Sequence, residues 1–442
     1  MTIKLSFLEN EIIDQYLIED GNRPWIIGFS GGKDSTTLLQ IVWNALKKIP
    51  EDLRAVQKRD IYVVCNDTLV ENPKIVQYVD GVLDQIKKAA VEQSMPIKVI
   101  KTIPKLEDTF WVNLIGRGYP APNNIFRWCT ERLKINPTTR FITEKISEEG
   151  EVIILLGTRT AESGNRAKSM KKHERKGERL RKHILPNAFV YPPIKDFTTQ
   201  EVWQYLMQVP SPWGANNKIL ANLYRNANSG DCPLVIDKTT PSCGNSRFGC
   251  WVCTVVKRDR SMEGLIDNGE KWMYPLLEIR DFLAESRDMP EYRSKFGRDG
   301  KPKPEGQYGP YLPEIRAMIL KKVLEAQHEI NKYYGEEVSL ISHQELVAIQ
   351  ITWYRDTIFD HKVADIYNDI FKTNLSMNNK GDQFQKEESL LRASCQKDGH
   401  FELIQELLSL HKTKSLMVKK RGLQNDIEKR IEKYIYPEKV NI

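Results

Sequence analysis

Short apolar runs, each followed by a stretch of helical spacing, set the architecture of the first half of the chain. Trp25 to Phe29 reads as a buried strand, and Ser35 to Leu46 carries apolar residues at helical spacing. Ile61–Cys65, Ile97–Ile103 and Val152–Gly157 read as further strands, and Ile75–Ala90 as a helix. Met1 to Asp20 has the pattern of a leading helix, with Phe7, Ile12, Ile13 and Leu17 on its apolar side. Thr198 followed by Glu201 forms a capping box ahead of Val202, Trp203 and Leu206. Strands alternating with helices through residue 208 predict an α/β fold with a Rossmann-like, doubly wound, mostly parallel sheet. Such sheets hold ligands at the carboxyl ends of their strands. Here those ends are polar: Asn66-Asp67-Thr68 after one run, and Thr158, Arg159, Glu162, Ser163 and Arg166 after another.

The pattern changes after residue 215. From Ala215 to Ser261 periodicity fails, and Gly, Asn, Pro and Cys dominate. Asn268 to Arg287 looks helical, and Arg298 to Pro313 reads as a linker or loop. Glu314–Tyr334, Gln344–Arg355 and Ile404–Tyr436, the last with a break near Gly422, read as helices. The expected division is an α/β nucleotide domain over 1–225, a cysteine-rich segment and linker over 226–310, and a helical C-terminal domain over 311–442.

The turn after the first strand carries the clearest chemistry. Ser30, Gly31 and Gly32 lie between a strand and a helix N-terminus, where backbone N–H groups and the helix dipole attract anions. The glycines let the backbone approach a phosphate closely. Lys33 adds a point charge, and the Ser30 and Ser35 hydroxyls add donors. The spacing is not that of a Walker A loop: three residues separate Gly28 from Gly32, and Asp34 follows the lysine.

Composition adds limits. The 442 residues are 40% hydrophobic and 28% charged, which is ordinary for a globular protein. No apolar run approaches the roughly 18 residues that a membrane helix needs, and Met1–Tyr16 is amphipathic with acids, so a cytoplasmic protein is expected. The net charge of +7 favours a polyanion partner without requiring one. Lys168 to Lys182 holds eight Lys or Arg against Glu174 and Glu178, a run that suits either a DNA backbone or a solvated helix face or lid.

Of the seven cysteines, Cys232, Cys243, Cys250 and Cys253 crowd together, which suggests metal or redox chemistry. Four thiolates suit a [4Fe–4S] cluster or a structural zinc ion, and the residues alone leave both open. Cys129 sits among Arg127, Arg132 and Lys134, whose charges favour a thiolate; it is either a nucleophile or sulfur carrier, or a half-buried structural cysteine. Arg159 and Arg166 read as anion clamps on the rim of the phosphate site. Cys65 reads as core.

The pattern Ser30-Gly-Gly-Lys-Asp-Ser35 resembles the PP-loop of ATP pyrophosphatases. With Arg127–Pro137, Gly157–Ala167, Tyr191–Trp203 and the cysteine cluster, it resembles the phosphoadenylylsulfate reductase superfamily, and within it the DndC-type DNA phosphorothioation sulfurtransferases. The likeness covers residues 10–275, and the lone Cys129 combined with the four-cysteine cluster carries its last step. The resemblance implies ATP-dependent replacement of a non-bridging DNA phosphate oxygen by sulfur. It implies ATP at Ser30, Gly31, Gly32, Lys33, Asp34 and Ser35, Mg2+ on Asp34 and Asp67, and charge neutralisation by Arg159 and Arg166. It further implies a [4Fe–4S] cluster on Cys232, Cys243, Cys250 and Cys253, and a persulfide on Cys129 loaded by a cysteine desulfurase. The implied partners are DNA and DndD- or DndE-like subunits of a modification system, with no membrane.

Rival readings are an assimilatory sulfonucleotide reductase, a tRNA thiolase and a nucleotide-sensing DNA-binding module. The first attacks with a cysteine in a Glu-Cys-Gly tail, and no such stretch occurs in residues 396–442. Its cluster-bearing members also use a Cys-Cys pair where this chain has Trp128-Cys129.

Overall fold

Every residue of the run Trp25–Gly28 is buried, because helices cover both faces of the strand it forms. In chain order the α/β part comprises α1 (Thr2–Leu17), β1 (Trp25–Gly28), α2 (Lys33–Lys47), α3 (Glu51–Val56), β2 (Ile61–Asn66), α4 (Pro73–Glu92) and β3 (Ile97–Thr102). It continues through α5 (Asn136–Glu149), β4 (Val152–Leu155), β5 (Arg181–Lys182), β6 (Ala188–Tyr191) and the helix Thr199–Gln208. A computed structural model describes residues 2–17, 23–57, 59–162, 179–227, 249–298, 301–335, 337–356, 358, 360–376, 389–395, 399–404, 407–408 and 423–435.

The sheet order is β3-β2-β1-β4-β6-β5. Strands β1 to β4 and β6 pair in parallel, with Trp25 opposite Ile61 on one side and Ile153 on the other. Only the short edge strand β5 runs antiparallel. The order reverses direction between β1 and β4, so the switch point of this doubly wound sheet lies beside the glycine turn. Alternate side chains feed different cores: Trp25, Ile27, Ile61 and Val63 pack with α1, α2 and α4, while Ile26, Tyr62 and Val64 pack with Ile142 of α5.

The predicted strands and helices of this half are present. The edge hairpin β5–β6 lacks apolar alternation over its first strand and was not expected. Its β5 takes in Arg181 and Lys182, the end of the basic run, whose residues 168–178 lie outside the described residues.

A second core joins parts distant in sequence. The residues around a π-helical turn, Val112–Gly116, pack with Trp128, Trp251, Leu276 and Leu283. The helices Pro313–Glu329, His343–Arg355 and Val363–Phe371 complete it. Two indoles lock this union: Trp111 Nε1 donates to the Leu340 carbonyl at 2.7 Å and Trp353 Nε1 to the Ile115 carbonyl at 3.0 Å. The helical region therefore packs directly on the segment between β3 and α5. The stretch expected to be a linker or loop folds back on itself, with Ser294 N donating to Pro310 O at 2.9 Å and Lys303 N to Lys295 O at 2.9 Å. Buried Arg293 anchors it through the carbonyls of Arg287, Tyr308 and Gly309.

The Thr198–Glu201 capping box forms as expected, and Lys4 of α1 reaches Glu201 at 2.8 Å. The Lys4 contact and the capping hydrogen bonds hold the Glu201 carboxyl down to about 2. A carboxylate with a depressed folded value stabilises the fold above its ordinary range, and that contribution disappears as pH falls through the folded value. The thermal unfolding midpoint of wild type should therefore exceed that of Glu201→Gln at neutral pH, with the gap closing as pH falls from about 4.5 toward about 2. A gap independent of pH across that window would contradict the assignment.

Candidate functional site

The glycine turn is built for close approach. Gly31 adopts φ +73°, and a Cβ there would lie 2.5 Å from Val79 Cγ2 of α4. Ser35 Oγ accepts from Ser30 N at 3.2 Å and donates to Gly32 O at 3.0 Å, so the turn is braced by the residues that flank it. No side chain caps α2 at Gly32, which leaves the helix N-terminus to be met by other groups. One of these is Tyr224, from the helix Asn217–Ala227: its hydroxyl accepts from Lys33 N at 3.2 Å. Its ring centroid lies 5.2 Å from Lys33 Nζ.

Beneath the turn lies a buried charge cluster. Arg159 Nε donates to Asp34 Oδ1, and Lys33 Nζ lies 3.3 Å from Asp34 Oδ2. Arg159 also donates to the Phe197 carbonyl at 3.1 Å and to Thr199 Oγ1 at 3.2 Å. The sequence placed Arg159 on the rim of the site, but the residue is 1% exposed. It is a strut tying the end of β4 to the start of α2, not an exposed clamp. Gly157 permits this: a Cβ there would come within 3.0 Å of the Asp34 backbone. Arg166 lies outside the described residues.

The end of β2 supports a second feature. Asp67 Oδ1 accepts from Leu69 N at 2.8 Å, and its Oδ2 lies 3.1 Å from Lys101 Nζ. The chain then runs antiparallel to the cysteine-bearing segment: Asn72 N donates to Gly249 O at 3.2 Å and Trp251 N to Val70 O at 3.0 Å. This pairing brings Cys250 to 3.3 Å from Thr68 Oγ1 and 3.7 Å from Glu71 Oε1. Burial pushes both the Cys250 thiol and the Glu71 carboxyl up, and Lys134, 3.9 Å from Glu71, opposes the shift. Cys129 joins them from the other side. It precedes the π-helical turn Thr130–Ile135, and Trp128 beside it stacks on Phe110 at 5.3 Å.

Cys129, Cys250 and Cys253 thus line one pocket, walled by Phe110, Leu133 and Val252. Arg280, 1% exposed, fixes its floor by donating to the carbonyls of Cys253 at 3.1 Å, Lys257 at 2.9 Å, and Val256. The cations flanking Cys129 in sequence have partners of their own: Arg132 pairs with Asp108, Arg127 donates to Asn124, and Lys134 faces Glu71. Cys65 is buried in the sheet, its thiol pushed up to about 12 by desolvation and then by Asp67 and Glu71.

Cys232 and Cys243 lie outside the described residues. Among the described residues, no group of three His, Cys, Asp or Glu is placed to hold a metal ion, and no helix is long and apolar enough to cross a membrane. Sequence reasoning brought Cys129, Cys250 and Cys253 forward, and Thr68 as part of a polar strand end, but missed Glu71, Tyr224 and Arg280. Glu71 alone left a trace, as an acid just past the polar end of β2. The other two act through pairings distant in sequence.

Comparison with known proteins gives three results. An uncharacterized protein of Methanocaldococcus jannaschii is 31% identical over 213 residues, 48% of this chain and 37% of that relative. The chain thus spans little more than a third of the relative's length. A crystal structure of phosphoadenylyl-sulfate (PAPS) reductase from Candida auris in a phosphate complex aligns over 49% of this chain and 90% of that one. Its identity is 14% and its TM-score 0.30, a level at which no structural correspondence is drawn. The third result covers both the glycine turn and the thiol pocket. Residues 24–256, more than half of the 442, match the phosphoadenosine phosphosulfate reductase domain, and the chain belongs to that family.

Proposed function

We propose that this protein activates a phosphate oxygen of DNA with ATP and replaces it by sulfur carried on Cys129. One observation carries the reading: a glycine turn at a helix N-terminus and a pocket lined by three cysteines are built on neighbouring strand ends of the same sheet, at the carboxyl edges of β1 and β2. A family of nucleotide-dependent sulfur chemistry is consistent with that pairing.

The chemistry requires both halves. Sulfur attack on an anionic phosphodiester is electrostatically uphill, and its non-bridging oxygen is a poor leaving group. Transfer of the ATP adenylyl group to that oxygen converts it into part of departing AMP. The amides around Gly31–Asp34 and the Lys33 charge would hold the pyrophosphate released in the first step. The terminal sulfur of a Cys129 persulfide would then attack phosphorus, and a thiol would open the remaining S–S bond. Asp67 and Asp34 are the carboxylates proposed for magnesium. Asp34 already faces Lys33 and Arg159, so its first duty is to hold them in register.

Cys232, Cys243, Cys250 and Cys253 are the proposed ligands of a [4Fe–4S] cluster, which would supply one-electron redox chemistry. The described thiols do not close such a site by themselves, and no step above runs through it. A cysteine desulfurase as sulfur donor, DndD- and DndE-like partners, and a cytoplasmic setting belong to the same proposal.

Two outcomes follow. In Lys33→Ala, pyrophosphate release should fall about 100-fold, the scale on which one preorganised charge contributes to catalysis. Arg159→Gln should instead unfold more readily, by ~3 kcal/mol, because it removes one of the two cations beside buried Asp34. Wild-type pyrophosphate release by folded Lys33→Ala would remove the turn from the mechanism.

Cys129→Ala should separate the two half-reactions. Pyrophosphate release in the presence of DNA should persist, while phosphorothioate nucleosides, measured by mass spectrometry after digestion, should vanish. Undiminished sulfur incorporation by this variant would assign sulfur transfer to another thiol.

A further inference from the structure

The thiol pocket shares a wall with a larger groove on the outer side of the segment Tyr119–Cys129. Pro122 lines the pocket, and its neighbours Pro120 and Asn123 line the groove. The opposite bank is the folded-back loop that Arg293 anchors, and the groove between them measures about 740 Å3.

Two features of this groove go beyond what holds its loop in place. The first is its charge. Arg287, Arg293, Arg298 and Lys303 line it against the single carboxylate of Asp288; Arg293 is buried on loop carbonyls and Arg287 pairs with Asp288, while Arg298 and Lys303 are exposed. Arg117, just behind, has its ionisation pulled below the ordinary arginine value by burial and then by the nearby charges of Arg132, Arg298 and Arg355. Crowded like charges cost folding energy, and a bound polyanion offsets that cost. The second is aromatic surface: Phe126 is 45% exposed and Tyr308 36%, on opposite banks. Tyr119 between them lies under two guanidinium groups, those of Arg298 at 5.3 Å and Arg132 at 5.5 Å from its ring centroid. Cations interleaved with exposed rings are the elements of a single-strand binding groove, in which rings stack on bases and cations track the backbone. A protein surface as partner would not call for this density of arginine, and a duplex would offer no unstacked base to the rings.

We propose that the groove receives an unpaired stretch of a nucleic-acid strand, bases against Phe126 and Tyr308 and phosphates against Arg298 and Lys303. The adjoining backbone then follows the Tyr119–Cys129 segment toward the thiol pocket. This assigns strand delivery to the described groove instead of the basic run at 168–182. It rests on the reading of a nucleic-acid substrate, but its test needs no sulfur chemistry.

The probe is a fluorescently labelled oligothymidylate of about 12 nucleotides, titrated by anisotropy into the full chain without ATP. Wild type should bind it, and Phe126→Ala with Tyr308→Ala should weaken binding about ten-fold or more at every salt concentration. Arg298→Gln with Lys303→Gln should flatten the plot of log K against log salt by about 0.7 for each phosphate that is no longer neutralised. Both pairs are exposed, so unfolding midpoints should stay at the wild-type value. No binding by wild type, unchanged affinity and slope in both double variants, or complete displacement of the oligonucleotide by excess ATP would each overturn the proposal. If the strand depends on the groove but no sulfur is ever incorporated, the groove assignment stands and the proposed reaction falls.

Discussion

The Asp34 carboxylate, buried with Lys33 on one side and Arg159 on the other, is the constraint around which the nucleotide half of this protein is assembled. Desolvating these charges is expensive, and removing one partner of a buried pair costs ~3–5 kcal/mol. The fold meets that cost by giving Arg159 further acceptors, Phe197 O and Thr199 Oγ1, and by a close backbone approach at Gly157, where a Cβ would lie 3.0 Å from the Asp34 backbone. The result fixes three separate pieces: the turn after β1, the end of β4 and the helix Thr199–Gln208. The proposed anion site, built from backbone amides, would depend on such immobility, because its donors must already point inward when a phosphate arrives.

Buried arginines repeat this solution elsewhere. Arg280 gathers three carbonyls of the cysteine-bearing loop, Arg293 anchors the fold-back loop, and Arg316 joins Tyr311 O, Gly116 O and Asp356. Each guanidinium satisfies irregular backbone that neither helix nor sheet can satisfy. Irregular backbone is where the thiol pocket and the basic groove are made, so these arginines permit functional loops within a packed core. The second core, locked by Trp111 and Trp353, gives the C-terminal helices a visible purpose: they back the segment that carries Cys129.

The central parallel strands β1, β2 and β4 were legible because each is a continuous apolar run ending in polar residues, as strands covered on both faces must be, whereas β6 was not. The glycine turn was legible because its chemistry is local, and the capping box at Thr198 for the same reason. The short edge strand Arg181–Lys182 was not, since an exposed edge imposes no apolar pattern. The burial of Arg159 was hidden as well, because arginine at a strand end reads as a ligand contact until Asp34 is seen beneath it. Glu71, Tyr224 and Arg280 meet partners far away in sequence, 191 positions away for Tyr224 and Lys33, and no local pattern encodes such pairings. The fold-back of residues 293–311 was masked by its Pro and Gly content, which a spacer and a structured loop share.

In the proposed reaction the glycine turn and the thiol pocket act together, and ATP turns a phosphate oxygen into a leaving group. That oxygen must depart with AMP. DNA labelled with heavy oxygen at non-bridging phosphate positions, turned over with ATP and a sulfur source, tests this directly by mass spectrometry of the AMP. AMP should carry one heavy oxygen for each phosphorothioate formed. Phosphorothioate formed alongside unlabelled AMP would contradict it.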